Sequence, residues 1–200
     1  MATAGTKYFQ AFWGLKPKQI RPTVILSPTI YPNKLAGLIG EKISVEKSIL
    51  GYFAADFKVC TYIKTPMMQG AVGDAITLLK KTACRQIIFI GGLGGLQPGM
   101  KIGDIILTNN PDHVYSFSSI HEETRPKLLS LKRRKVLGID FESQVFFTAS
   151  KKSGLSAKAY YVLTDLPLTK PFYEPRTEGE EAVIADSISQ ILRKISSELK

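Results

Sequence analysis

Gln86-Ile-Ile-Phe-Ile-Gly-Gly-Leu-Gly-Gly-Leu-Gln-Pro-Gly-Met-Lys-Ile-Gly-Asp-Ile-Ile-Leu107 is the stretch that decides the fold. It opens on a β-branched and aromatic run, passes through closely spaced glycines, and closes on a second apolar run. Short apolar runs bounded by Gly and Pro read as strands buried on both faces. The pattern predicts strands at 86–90 and 104–107, with a loop over 91–98. The glycines have two readings. One is a tight turn between two buried strands. The other is a floor whose missing side chains let a ligand approach the backbone closely. Neither phosphate-loop pattern fits. Gln97 stands where GxGxxG needs its last Gly, and no Gly-Lys-Ser/Thr follows.

Outward from this stretch, strand-like and helix-like segments alternate. Residues 23–26 are β-branched and lie between prolines, which predicts a strand. Residues 57–64 and 159–163 read the same way, the latter running into Thr164 and Asp165. Helices are expected at 34–40, 45–53 and 72–83. Another is expected at 141–150, with Lys151 and Lys152 in its last turn and Gly154 just after. The final helix carries an apolar stripe of Ile184, Ile188, Ile191, Leu192, Ile195 and Leu199. Residues 109–135 are polar and basic and read as irregular, either a loop at a site or a disordered excursion. Alternation of this kind predicts an α/β fold of three layers, αβα, with a central mixed, mostly parallel sheet. No repeat or linker divides the chain, so 1–200 reads as a single domain. Its 200 residues are enough to bury roughly 70% of the unfolded surface, so no disulfide or metal staple is needed.

Composition narrows the function classes. With 44% hydrophobic and 22% charged residues, collagen-like, coiled-coil and fully disordered chains are excluded. No apolar run approaches the ~20 residues that span a bilayer, and residues 1–21 lack the apolar core of a signal peptide. No membrane partner is expected. Cys60 and Cys84 lie in apolar surroundings without a CxxC, and His113 and His121 are the only histidines. This predicts neither a disulfide framework nor a metal site, and a cytoplasmic setting. The 27 Lys and Arg against 17 Asp and Glu give a net charge of +10, which favours anionic partners. The densest cluster is Lys132, Arg133, Arg134 and Lys135. It has no interleaved aromatics and matches no nucleic-acid motif. It reads either as a solvated surface or as the attractor of a small anionic ligand at the mouth of a cleft, rather than of a polynucleotide.

Two carboxylates stand out. Asp165 ends an apolar strand, and in open α/β sheets ligands bind beyond the carboxyl ends of strands. It reads as an acid or base, or as a turn or cap residue. Glu142 sits where a helix begins, as a site residue or as a complement to the helix dipole.

These segments together resemble the nucleoside phosphorylase and nucleosidase superfamily over about residues 66–108 and 136–198. The 87–107 stretch is similar to that superfamily's strand, glycine-rich turn and Gly-Asp-apolar strand. Gly138-Ile-Asp-Phe-Glu-Ser143 resembles its Val-Glu-Met-Glu motif, and Leu163-Thr-Asp165 its Ser-Asp motif. The 138–143 motif and the stretch from Thr164 to Leu168, continuing to Arg176-Thr-Glu178, look nearest to AMP nucleosidase. The resemblance implies cleavage of an N-glycosidic bond without metal or cofactor, in a homo-oligomer. Glu142 would accept hydrogen bonds from the ribose hydroxyls, and Phe141 would pack on the sugar. Asp165 would protonate a purine leaving group, with Gly91, Gly92 and Thr164 completing the substrate site. The superfamily's phosphorylases carry an Arg and a Ser or Thr where this chain has Phe89 and Gly92, and AMP nucleosidases carry a Lys at the latter position. The expected substrate is a purine nucleoside or nucleotide. Hydrolysis is expected over phosphorolysis, with phosphate no more than an optional partner. The stretch from 107 to 136 is short for the superfamily, leaving Tyr115 and Phe117 as aromatic substitutes at the base. The alternatives are a non-catalytic nucleoside- or nucleotide-binding protein that keeps the fold, and a basic RNA-associated protein.

Overall fold

Side chains alternate across the central strands, and the alternation builds two separate cores. The computed structural model describes residues 5–199. In β1 (Thr23–Ser27), Val24 and Leu26 face one core while Ile25 faces the other. In β5 (Gln86–Gly95), Ile87 and Phe89 face the first, Ile88 and Ile90 the second. In β9 (Ser156–Asp165), Tyr161 and Leu163 face the first, Tyr160 and Val162 the second. This is the two-residue period of a strand buried on both sides. The first core is covered by α1 (Thr6–Trp13), α3 (Gln69–Leu79) and α5 (Ser143–Ser153). The second is covered by α2 (Pro32–Ile39) and α6 (Glu178–Glu198). The architecture is the expected three-layer α/β sandwich around a mixed, mostly parallel sheet.

The strands β4 (Thr61–Lys64), β1, β5 and β9 run parallel and side by side. Antiparallel partners close the flanks. These are β2 (Glu46–Lys47) and β3 (Phe53–Asp56) beside β4, and β6 (Ile105–Thr108) beside β9. Beyond the end of β1, the edge of β5 is taken by β8 (Gly138–Asp140), which pairs with β7 (Val114–Ser116). Under β7, β8 and α4 (Arg125–Arg133) lies a third, smaller core of Leu96, Phe117, Leu128, Leu131, Val136 and Ile139.

Four expectations on secondary structure are corrected. Residues 45–53 are not a helix. They form β2 and a turn into β3, where the Ser48 hydroxyl accepts from the amides of Leu50 and Tyr52 and Gly51 takes φ +81°. Phe57–Cys60 is the turn of the β3–β4 hairpin rather than part of one strand, with the Phe57 amide donating to the Cys60 carbonyl. The glycine-rich run is not a loop over 91–98. β5 continues to Gly95, because β9 pairs with it as far as Gly94 and β8 takes Gly94 and Gly95 on the other edge. Neighbouring strands here override the local preference of Gly for turns. Residues 109–135 are not irregular. They hold β7 and α4, and α5 starts at Ser143, after the short strand β8.

Candidate active site

Asp165 and the 138–143 motif meet at the carboxyl end of β5. Gly94 pairs with Ile139 on one edge and with Asp165 on the other, so the two segments lie two strand spacings apart, about 10 Å. A register shift at Leu93/Gly94 bends the ladder at this point. A Cβ on Gly94 would stand 2.7 Å from Pro167 Cγ and 3.0 Å from Ile139 Cγ1, so only glycine lets the flanking chains approach this closely.

Asp165 is 8% exposed, and burial raises its carboxyl above the usual range. The Thr164 hydroxyl donates to Asp165 Oδ1 at 3.1 Å and opposes that rise, as does the charge of Arg176. Thr164 also packs over Gly92, where a Cβ would come 3.1 Å from its Cγ2. Thus Gly92, Thr164 and Asp165 form one contiguous group. Gly91 stands apart from it. Its α-carbon is covered by the ring of Phe89, which packs in turn against Phe146 and Tyr161.

Glu142 is also 8% exposed, with its carboxyl raised by burial. It occupies the position just before α5, yet its side chain does not cap that helix. Its Oε1 accepts instead from the Met68 amide, at 2.8 Å, just ahead of α3. Met68 holds φ +90°, a costly conformation for a side chain of its kind. A Cβ on Gly73 would strike Val145, so the N-terminal halves of α3 and α5 pack together. Both helices therefore present N-termini here, the helix end that favours negative charge. Phe141 is half-buried against the third core, on which Leu168 and Tyr115 also pack.

Three residues at this end of the sheet are not marked as site residues by the sequence, although Asp140 lies within the 138–143 motif. Asp140 is 5% exposed, and burial pushes its carboxyl up to about 7. The carboxyl of Glu123, on the segment before α4, is likewise pushed up to about 7, by burial and by the charge of Asp165. Tyr161 is fully buried, with its hydroxyl on Ser143. Arg134 lines a cavity of about 500 Å³ with Val114, Tyr115, Val136, Gln144 and Thr148, none of them a candidate from the 138–143 or 163–165 motifs. No helix among the described residues is long and apolar enough to cross a membrane.

No protein-family model and no curated protein matches the sequence. Solved structures do match the fold. Uridine phosphorylase from Vibrio fischeri, complexed with 6-hydroxy-1-naphthoic acid, superposes with TM-score 0.71 at 16% identity, covering 92% of this chain and 96% of that one. AMP nucleosidase from Bacteroides thetaiotaomicron gives 0.66 at 14% identity, covering 94% and 96%. The P. knowlesi homologue of P. falciparum PNP gives 0.65 at 12%, covering 92% and 93%. With its sheet order, its two helix layers and these likenesses, the chain has the nucleoside phosphorylase and nucleosidase fold.

Proposed function

We propose that the chain cleaves the N-glycosidic bond of a purine nucleoside or nucleotide, by hydrolysis rather than phosphorolysis. The observation that carries this reading is the pair of buried carboxyls, Glu142 and Asp165, on segments that flank Gly94. Glu142, aimed at the N-terminus of α3, is the acceptor for ribose hydroxyls, and Phe141 beside it packs on the sugar. Asp165 is the acid. As the glycosidic bond breaks, the sugar gains oxocarbenium character and the base leaves with the bonding electrons. Asp165 gives its proton to the base, water adds to the sugar carbon, and the proton released from that water restores the acid. Burial raises the Asp165 carboxyl, which favours the protonated form this role requires.

Hydrolysis is favoured by what stands at the two positions where the phosphorylases carry phosphate-binding side chains. Phe89 is packed among aromatic rings, and Gly92 lies under Thr164. Neither offers a donor to an oxyanion from its side chain. The test is incubation with a panel of purine and pyrimidine nucleosides and AMP, with and without inorganic phosphate. Free base and ribose or ribose 5-phosphate should appear at the same rate in both. Base release only with phosphate would overturn hydrolysis. Tight nucleoside binding without any release would turn the assignment to a non-catalytic binding protein.

A further inference from the structure

Asp140 accepts three hydrogen bonds from inside the protein. Ser116 donates its hydroxyl to Oδ1 at 2.5 Å, and the Ser143 amide donates to Oδ2 at 3.0 Å. The Ser143 hydroxyl also donates to Oδ2. The donors are themselves oriented. The Gln144 amide donates to Ser116 Oγ at 2.8 Å, so the Ser116 proton is left to point at Asp140. Tyr161 bonds to Ser143 Oγ and acts as donor when Ser143 donates to Asp140. Among the described residues, Asp140 has no Lys, Arg or His as an ion-pair partner. The titratable groups that face it are Glu142 and Tyr161. The network ties β7, β8, α5 and β9 at one point.

The two bonds from Asp140 to Ser143 close a four-residue turn with Phe141 and Glu142 at its centre. From that turn Glu142 reaches Met68, whose strained backbone its carboxylate holds. Asp140 itself, 5% exposed, is too deeply covered to offer an acceptor to a ligand.

We propose that Asp140 is a positioning residue, which closes the Asp140–Ser143 turn and thereby aims the Glu142 carboxylate. The inference deepens the functional reading given above and rests on it for the consequence to catalysis. The competing role is purely structural. The carboxylate would then serve only the N-terminus of α5, through the amides of Ser143 and, by way of Ser116, Gln144.

Residue-resolved native-state hydrogen exchange on the full chain separates the two roles without any substrate. In Asp140→Asn, the Met68 amide should lose protection by about tenfold or more, as in Glu142→Ala, because the charged acceptor of that amide, the Glu142 carboxylate, is displaced. Amides in the centre of β5 and β9 should keep theirs, showing that the fold is intact. Faster exchange at Ser143 and Gln144 with Met68 unchanged would overturn the proposal. If Asp140→Asn does not fold, Ser116→Ala and Tyr161→Phe each remove one bond from the network, and an unchanged Met68 amide in both overturns it equally. With any nucleoside that the wild-type chain cleaves, Asp140→Asn should raise KM by about tenfold while kcat stays within about twofold, the mark of lost ribose binding. A larger fall in kcat than rise in KM overturns positioning through Glu142. A wild-type chain that cleaves no nucleoside removes the functional reading and leaves the Met68 amide to decide the role of Asp140.

Discussion

Replacing Asp140 by Asn should flatten the dependence of stability on pH. In the folded chain, burial pushes this carboxyl up to about 7, the nearby charge of Glu142 adds to the rise, and Ser116 and Ser143 oppose it. In the unfolded chain it titrates near its ordinary value of 3.8. A group whose folded-state value is the higher one holds its proton more tightly when folded. Its contribution is therefore fully present below the unfolded value and is lost as pH rises through about 7. From about pH 5 to about pH 8 the folded side chain gives up a proton that the unfolded one has already lost. That spans roughly two effective pH units at about 1.4 kcal/mol each, or about 3 kcal/mol. Asn carries no such proton. Glu123 and Asp165 are raised too, but both proteins retain them, so they cancel in the comparison. Urea titrations across this range give the stability of each protein at each pH. The deficit of the variant against wild type should be largest near pH 5 and narrow by about 3 kcal/mol towards pH 8. Parallel profiles would refute the assignment of a raised, buried carboxyl to Asp140.

Asp165→Asn should slow base release by at least roughly 10²-fold while nucleoside binding by calorimetry survives, the loss expected for a general acid. Lys135 occupies the left-handed position after α4, at φ +61°, where the Val136 amide reaches back to the Leu131 carbonyl and glycine is the usual residue. Lys135→Gly should therefore stabilise the protein by about 0.5–1 kcal/mol, raising Tm by roughly 1–4 °C in a scanning melt. Gly94→Ala should destabilise it by about 1–3 kcal/mol in urea, because the added carbon meets Pro167 and Ile139 at contact distances neither can relieve freely. An unchanged midpoint would show that the bend at Gly94 has more room than these distances allow.

The central strands were readable because burial on both faces leaves an uninterrupted apolar, β-rich run, as in residues 86–90 and 159–163. The last helix was readable because its stripe packs on the second core alone. The glycines of β5 misled because nothing in the local sequence says that two other strands flank them. The segment 109–135 misled because its helix is short and mostly exposed, so its composition is that of a loop. At the site, Asp165 and Glu142 were marked by a strand end and a helix start, which are local features. Glu123 and Met68 acquire their character from partners far along the chain, and Asp140 takes one of its donors from Ser116 on β7. The bond between Met68 and Glu142 spans 74 residues, and no local pattern carries it.

The separateness of the third core has a consequence for motion. In strand pairing the segment from β7 to β8 joins the main sheet at Gly94 and Gly95, the Asp140 network adds a second tie to α5 and β9, and most of its apolar side chains pack in the third core. Such a unit can detach with a free energy below that of global unfolding, while the two large cores stay shut. The turn that bears Phe141 and Glu142 would leave with it, so the proposed ribose contacts sit on this separable unit and the proposed acid, Asp165, on a strand of the main sheet. Binding between them is then a staple across the joint. Under the proposed function, a ligand bound there trades the unit's freedom for contacts, and the same opening is the way in for a substrate and out for the base.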